Sequence, residues 1–354
     1  MFNPSIGIGL IRTNKGGGGE FVTSATIAGV QIVSQVLTAS YVGGGGSPTY
    51  QWKRGGVDIG SATASTYTLV AADSGQNITC VVSIGAANAT SNTLAIITTI
   101  ADLYSGMVKC YYPTLQRGAY YGSSCIRVRR SGDNSESNFG FTTSGVVDYA
   151  SITAFCIAGG GTQNGYVVTF FDQSTAGLNA TQSSASKQAQ LVASGALMTS
   201  SSINIFDYTI TNSSGDYAQT SQSLTTYTAF HYSIVSTTTA GGRRAFGNGN
   251  PAPSIVPQGG NFEGFRNSAG IISLASPNNT FLKRAWKRSG VNGELFWDGV
   301  SKGTSASLDA GTLTSTFYML DYFAGYTNEK VRGSIVFNTA MTTAEIQAIT
   351  TLLN

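Results

Sequence analysis

Charge is scarce in this chain. Asp, Glu, Lys and Arg make up only 10% of its 354 residues, and the net charge is +3. That excludes the long basic stripe on which a dedicated nucleic-acid binder relies. Histidine occurs once, as His231, in the strand-like stretch Tyr227–Val235. It reads as a core or face residue, and no Ser-His-Asp arrangement is legible around it. The four cysteines, Cys80, Cys110, Cys125 and Cys156, lack C-x-x-C or any related zinc spacing. No stretch reaches the roughly 18 apolar residues of a membrane span, so no membrane insertion is expected. The opening residues MFNPSIGIGLIRTNK have no basic leader, long apolar core or small-residue cleavage site. They predict a protein made in a cytoplasm that stays soluble. Free buried thiols are expected there, with one bridge among Cys110, Cys125 and Cys156 as the alternative.

What is abundant is glycine, with 44 residues, alongside Ser and Thr. Disorder is excluded because 41% of the chain is hydrophobic, with 17 Tyr and 17 Phe to build cores. Short β-prone runs between Gly, Asn and Ser turns predict an all-β protein. Its length suggests two or three domains. Residues 1–19 read as an arm and hinge. The apolar Ile6, Ile8, Leu10 and Ile11 precede the tetraglycine Gly16–Gly19. Such an arm cannot bury itself, so it is expected to dock on another subunit or a host particle, or else to fray.

Residues 20–98 form the second division. Strands are expected at Gln31–Ala39, Tyr50–Arg54, Thr66–Leu69 and Ile78–Ile84, with turns at Gly43–Gly46 and Gly55-Gly56 and a corner at Asp73-Ser74-Gly75. Trp52 on an early strand and Cys80 on a later one follow the pattern of an immunoglobulin sandwich. The run YQWKRGGVDIGSATASTYTLVAADSGQNITCVVS resembles the Ig-like domains of bacteriophage and bacterial surface proteins. It departs from antibody-type domains in having no cysteine around Val33–Leu37 to partner Cys80, and Ile78 in place of the corner tyrosine. Trp52 reads as core.

Residues 99–354 read as one large β domain with two helices. One is expected from Asp148 to about Cys156, with Asp148 as N-cap, Ile152 and Phe155 at helical spacing and Gly159–Gly161 as the stop. The other closes the chain. Thr342-Thr343-Ala344-Glu345 reads as a capping box, and Ile346, Ile349, Leu352 and Leu353 as one apolar face. Asp298-Gly299 reads as a type I′ hairpin turn. The basic runs Arg127-Val128-Arg129-Arg130 and Lys283-Arg284 with Lys287-Arg288 are expected on solvated faces.

Within this domain CYYPTLQRGAYYGSSCIRVRRSGDN, AFC and GYVVTFFDQSTAGLNATQ resemble the N-terminal half of the catalytic domain of fungal α-L-arabinofuranosidase B. The same block resembles uncharacterised bacteriophage tail proteins. ELFWDGVSKGTSASLD and VRGSIVFNTAMTTAEIQAITTLL resemble the end of laminin-G or concanavalin A-type jelly rolls. The implied architecture is an Ig-like β-sandwich followed by a concanavalin A-like jelly roll with a C-terminal helix. Hydrolysis of a glycoside needs two carboxylates flanking the bond. The resemblance places the nucleophile in a Gly-Asn-Ala-Glu run, but this chain reads Phe246-Gly247-Asn248-Gly249-Asn250, with Arg243-Arg244 near the place of the family's paired cysteines. The acid/base belongs to a Gly-Gly-Asp-Asn run, where this chain reads Ala324-Gly325-Tyr326-Thr327-Asn328. An amide replaces each carboxylate, which argues against an enzyme. Asp172 lies in the most family-like stretch and reads as a strand-end hydrogen-bonder or a ligand contact. Glu263, Glu294, Asp321 and Glu329 show no pairing logic.

These readings lead to a structural protein of a bacteriophage virion, assembled in the host cytoplasm. The arm would join it to other virion proteins, and the sandwiches would project as a tail fibre, tail tip or head decoration. Self-association into a homo-oligomer and binding of host-surface glycan are expected, with no nucleic-acid partner. Asp172, Gln173, Tyr120, Tyr121 and Tyr326 are the candidate sugar contacts. Asp and Asn turns leave a calcium site open at no named position; no other cofactor is implied. The alternatives are a virion-associated glycosidase or depolymerase and a bacterial surface adhesin.

Overall fold

The computed structural model describes residues 19–158, 160–161, 163–200, 203–204, 206–207, 226–235, 246–247, 254–258, 262–266, 271–275, 281–306 and 329–353. The arm residues Ile6, Ile8, Leu10 and Ile11, the positions of Asn250 and Asn328, and Tyr326 lie outside them. Two compact units divide the chain. The first comprises the residues up to Val30, Gln35–Leu69 and Gln76–Ile96; the second comprises Gln31–Ser34, Val70–Gly75 and everything from Ile97.

The first unit owes its form to side-chain alternation, which turns each strand into one buried and one wet face. One antiparallel sheet takes Phe21–Gly29, Val36–Gly44 and Thr66–Thr68 in that order. Another takes Val57–Asp58, Thr49–Arg54, Asn77–Ile84 and Ala87–Thr90, with Leu94–Ala95 also on Asn77–Ile84. The expected strand at Gln31–Ala39 begins only at Val36, because Ser34 adopts a left-handed φ of 72° and breaks the extended run. Trp52 sits directly across from Cys80, and both are completely buried. The indole stacks on Tyr67 at 5.5 Å and donates Nε1–H to the Ala64 carbonyl at 2.9 Å. Ile27, Leu37, Leu69, Ile78 and Val82 close around it. The Gly55-Gly56 turn has φ of 54° and 84°, which a side chain at either position would strain.

In the second unit, one antiparallel sheet runs in the order Glu136–Phe139, Ile126–Arg130, Gly165–Phe170, Gln190–Ala193, Phe206–Asp207, Glu329–Phe337, Thr226–Val235, Phe281–Ser289, Asn292–Trp297, Val300–Ser305. Met107–Tyr111 also pairs with Glu329–Phe337. A separate four-stranded sheet holds Phe246–Gly247, Ser254–Gln258, Phe262–Arg266 and Ile271–Ala275. The described chain is thus all-β, with few helices.

Two helices cover separate parts of the large sheet. Tyr149–Ala158 lays Ile152 and Cys156 on Ile126, Val128 and Val167. Asp148 caps it by accepting from the Ser151 amide at 3.0 Å. Thr343–Leu352 begins at a complete capping box between Thr342 and Glu345. Its Ile346 and Ile349, followed by Leu353, pack on Phe230, Ala285, Phe296 and Ile335. Leu352, expected on this face, is instead 36% exposed, because six residues beyond Ile346 the helix has rotated it away. Asp298 and Gly299 have φ of 46° and 78°, as a type I′ turn requires, and Trp297 pairs with Val300 across them.

Cys80, Cys110, Cys125 and Cys156 are all free and buried. Burial pushes the Cys80 thiol up to about 11 and Cys110 well above its ordinary value. A thiol reagent should therefore label none of them in the native protein and all four after unfolding, read by mass spectrometry. Trp52→Ala should destabilise the first unit by roughly 3–5 kcal/mol in denaturant titration, the usual cost of emptying an aromatic core position.

Candidate functional site

The strand Gly165–Phe170 runs into the loop Phe171-Asp172-Gln173-Ser174, and the Asp172 carboxylate organises that loop. Its Oδ1 accepts from the Cys110 amide at 2.8 Å and the Ser174 amide at 2.9 Å. Its Oδ2 accepts from Ser174 Oγ at 2.7 Å and the Leu178 amide at 2.9 Å. Gln173 continues the bracing. Its Nε2 donates to the Tyr112 carbonyl at 2.7 Å, and its Oε1 accepts from the Gln116 amide at 2.8 Å. Tyr111 and Tyr120 donate their hydroxyls to the Leu178 and Ser174 carbonyls.

Asp172 is 3% exposed and Gln173 1%. Their polar atoms are taken up within the loop, by backbone groups and the Ser174 hydroxyl, an arrangement of the strand-end hydrogen-bonding kind. What the loop presents outward is different. Tyr120 and Tyr121 are half-buried, beside the exposed Gly122 and Ser123, while Thr175, Ala176, Gly177 and Asn179 are exposed in the turn that follows Ser174, whose carbonyl accepts from Tyr120. An aromatic face among hydroxyls and an amide can stack on a sugar ring and hydrogen-bond its rim. The structure thus joins Tyr120 to the loop of Asp172 and Gln173 through the Ser174 carbonyl, with Tyr121 next in the chain; Tyr326 lies outside the described residues.

Sequence reasoning missed a buried polar face on the central strands. Cross-strand partners share a face, so Tyr227 lies with Arg288, and His231 with both Arg284 and Ser334. Lys109 joins this face opposite Val336, which is itself paired with Ala229. Lys109 and Arg284 are fully buried, His231 is 1% exposed and Arg288 3%. The expectation that the 283–288 basic run is solvated therefore fails for its arginines. Alternation sends Arg284 and Arg288 inward, while Lys283 and Lys287 leave on the opposite face, half-buried. His231 Nδ1 lies 2.7 Å from Ser334 Oγ, as expected of a core histidine. Lys283-Arg284 and Lys287-Arg288 place two charges on each face of the strand, so the sequence pattern does not mark which face is buried.

The described carboxylates have structural work. Glu294 pairs with Lys287 at 3.1 Å and accepts from Ser301 Oγ at 2.6 Å. Asp298 accepts from the Lys283 amide at 2.9 Å within its turn. The side chains of Glu263, Asp321 and Glu329 are outside the described residues. Among the described residues no three His, Cys, Asp or Glu side chains could hold a metal ion, and no helix is long and apolar enough to cross a membrane.

No protein-family model and no curated protein sequence matches the chain. Solved structures do resemble it in fold. A GH54 α-L-arabinofuranosidase mutant soaked with 4-nitrophenyl α-L-arabinofuranoside aligns at 11% identity and a TM-score of 0.50, over 70% of this chain and 62% of that one. An arabinofuranosidase complexed with arabinofuranosyl-α-1,2-xylobiose gives 11% and 0.50, over 72% and 64%. The chain spans less than two thirds of either enzyme's length. At this identity the likeness is one of fold.

Asp172→Ala should cost roughly 3 kcal/mol or more, read by thermal or denaturant unfolding, because it strands several buried donors at once. Lys109 supplies a pH signature. Desolvation lowers its pKa from 10.5 to about 8, against the opposing pull of Asp172. Between those pH values the unfolded chain binds the proton and the folded chain has released it, so stability rises with pH. The stability of the natural protein relative to Lys109→Met should therefore climb by up to about 3 kcal/mol across that window.

Proposed function

We propose that the second unit binds carbohydrate through the surface carried on the Asp172 loop, and that the whole chain is a structural protein displayed on a bacteriophage particle. The observation that carries the first part is the hydrogen bond from the half-buried Tyr120, next to Tyr121 in the chain, to the Ser174 carbonyl, on a loop fixed by a buried, fully hydrogen-bonded carboxylate. A rigid aromatic surface binds a glycan without losing much conformational entropy. The fold shared with glycoside-cleaving enzymes supports a sugar as the ligand. The virion assignment rests on the phage-like pairing of an Ig-like run with an arabinofuranosidase-like run, together with the apolar arm ahead of its glycine hinge.

In this reading glycan is held and not cleaved, because the sequence resemblance puts Asn250 and Asn328 at or near the places of the family's carboxylates. Retention of a glycan on an array, with no reducing sugar released, is the expected result. Tyr120→Ala and Tyr121→Ala should each weaken that binding about tenfold, as loss of one stacking contact does. Peptides of this chain should also be recovered from purified phage particles by mass spectrometry. Turnover of 4-nitrophenyl α-L-arabinofuranoside by the purified protein would instead establish the glycosidase reading.

A further inference from the structure

Beyond the Asp172 loop, the strands Phe281–Ser289, Asn292–Trp297 and Val300–Ser305 carry a second polar surface whose form is set by register. Ala285 and Phe296 face each other and are buried in the cluster that includes Ile346 and Ile349 of the C-terminal helix. The next row on that face, two residues along each strand, is Lys287–Glu294–Thr304. The row after it pairs Ser289 with Asn292, and Ala306 follows Thr304 at the same spacing. Long side chains in one row stand beside short ones in the next. The step leaves a depression of about 320 Å³ lined by these residues. Ser289, Asn292, Thr304 and Ala306 are exposed, whereas Lys287 and Glu294 form a half-buried wall.

The chemistry of this depression is specific. Lys287 Nζ and Glu294 Oε2 are 3.1 Å apart, and Ser301 Oγ holds Glu294 Oε1 at 2.6 Å. Their side chains are 25% and 19% exposed. A carboxylate accepts about four hydrogen bonds and an ammonium donates three, so this pair keeps capacity for a ligand. Adjacent hydroxyls that both donate and accept match such an acceptor–donor pair, with Thr304, Ser289 and Asn292 completing the rim. The pair is neutral overall, which favours an uncharged ligand. The volume is at the small end of the roughly 300–1,000 Å³ typical of ligand sites, enough for one ring.

We propose that this depression is a subsite for one neutral sugar ring, separate from the Tyr120 surface. The assignment rests on the carbohydrate-binding reading above. The test uses the full chain on a printed glycan array, and in calorimetric titration with methyl glycosides of glucose, galactose, mannose and arabinose. Wild type is compared with Glu294→Gln, which removes the charged acceptor at constant shape, and Thr304→Trp, which fills the depression from an exposed position. Unchanged circular dichroism and melting temperature establish that each variant is folded. Loss of affinity of about tenfold or more in both variants is expected. If wild type binds a glycan and both folded variants bind it equally well, the subsite is overturned while the carbohydrate reading stands. If only Tyr120→Ala weakens binding, the same conclusion holds. If wild type binds none of these probes, the carbohydrate reading fails and takes the subsite with it.

Discussion

Successive side chains of a strand leave on opposite faces, and much of the described structure depends on that constraint. It sets Trp52 against Cys80 in the first unit. It sends Ala285 and Phe296 beneath the C-terminal helix, while their neighbours Arg284 and Trp286 enter a different, polar interior. A single strand thus serves two environments. One is apolar and sealed by a helix. The other holds Lys109, His231, Arg284 and Arg288, whose burial must be compensated because an isolated buried charge is costly. The lowered pKa of Lys109 is the mark of that cost.

Asp172 shows how a charge can be buried and remain useful. Three amides and one hydroxyl converge on its carboxylate and tie the end of the Met107–Tyr111 strand to the loop after Gly165–Phe170. Gln173 and the hydroxyls of Tyr111 and Tyr120 repeat the strategy with neutral groups. The outcome is a loop with a rigid interior and a surface of tyrosines, hydroxyls and an amide. That arrangement suits recognition. A carboxylate already occupied by four donors is poorly placed to attack a substrate or exchange a proton with it.

Local features were the legible part of the chain. The capping box at Thr342 and Glu345, the positive-φ turn at Asp298-Gly299, the Asp148 cap and the Trp52 core position depend on a few neighbouring residues. Each is therefore visible in a short window of sequence. Misreadings arose where position along an element or a distant partner decided the outcome. Leu352 suits an apolar face by residue type, but the helix rotation turns it outward. The start of the strand at Val36 depended on the left-handed turn at Ser34. A hydrogen-bonding role for Asp172 is legible, but its partners and those of Gln173 include amides some sixty positions earlier, those of Cys110 and Gln116.

The amino-acid sequence alone determined that the chain would be β-rich, with strands punctuated by glycine turns, the helices at Tyr149–Ala158 and Thr343–Leu352 but not the short one at Ile100–Leu103, and four cysteines without metal spacing. Periodicity and turn chemistry are local properties, and they survive reading in one dimension. Which basic residues would be buried, which carboxylate would be saturated and where a polar depression would open were decided by tertiary structure. Those outcomes depend on register between strands and on what packs over each face. A shift of one residue in register exchanges the two faces, so only the folded sheet determines which side chains meet.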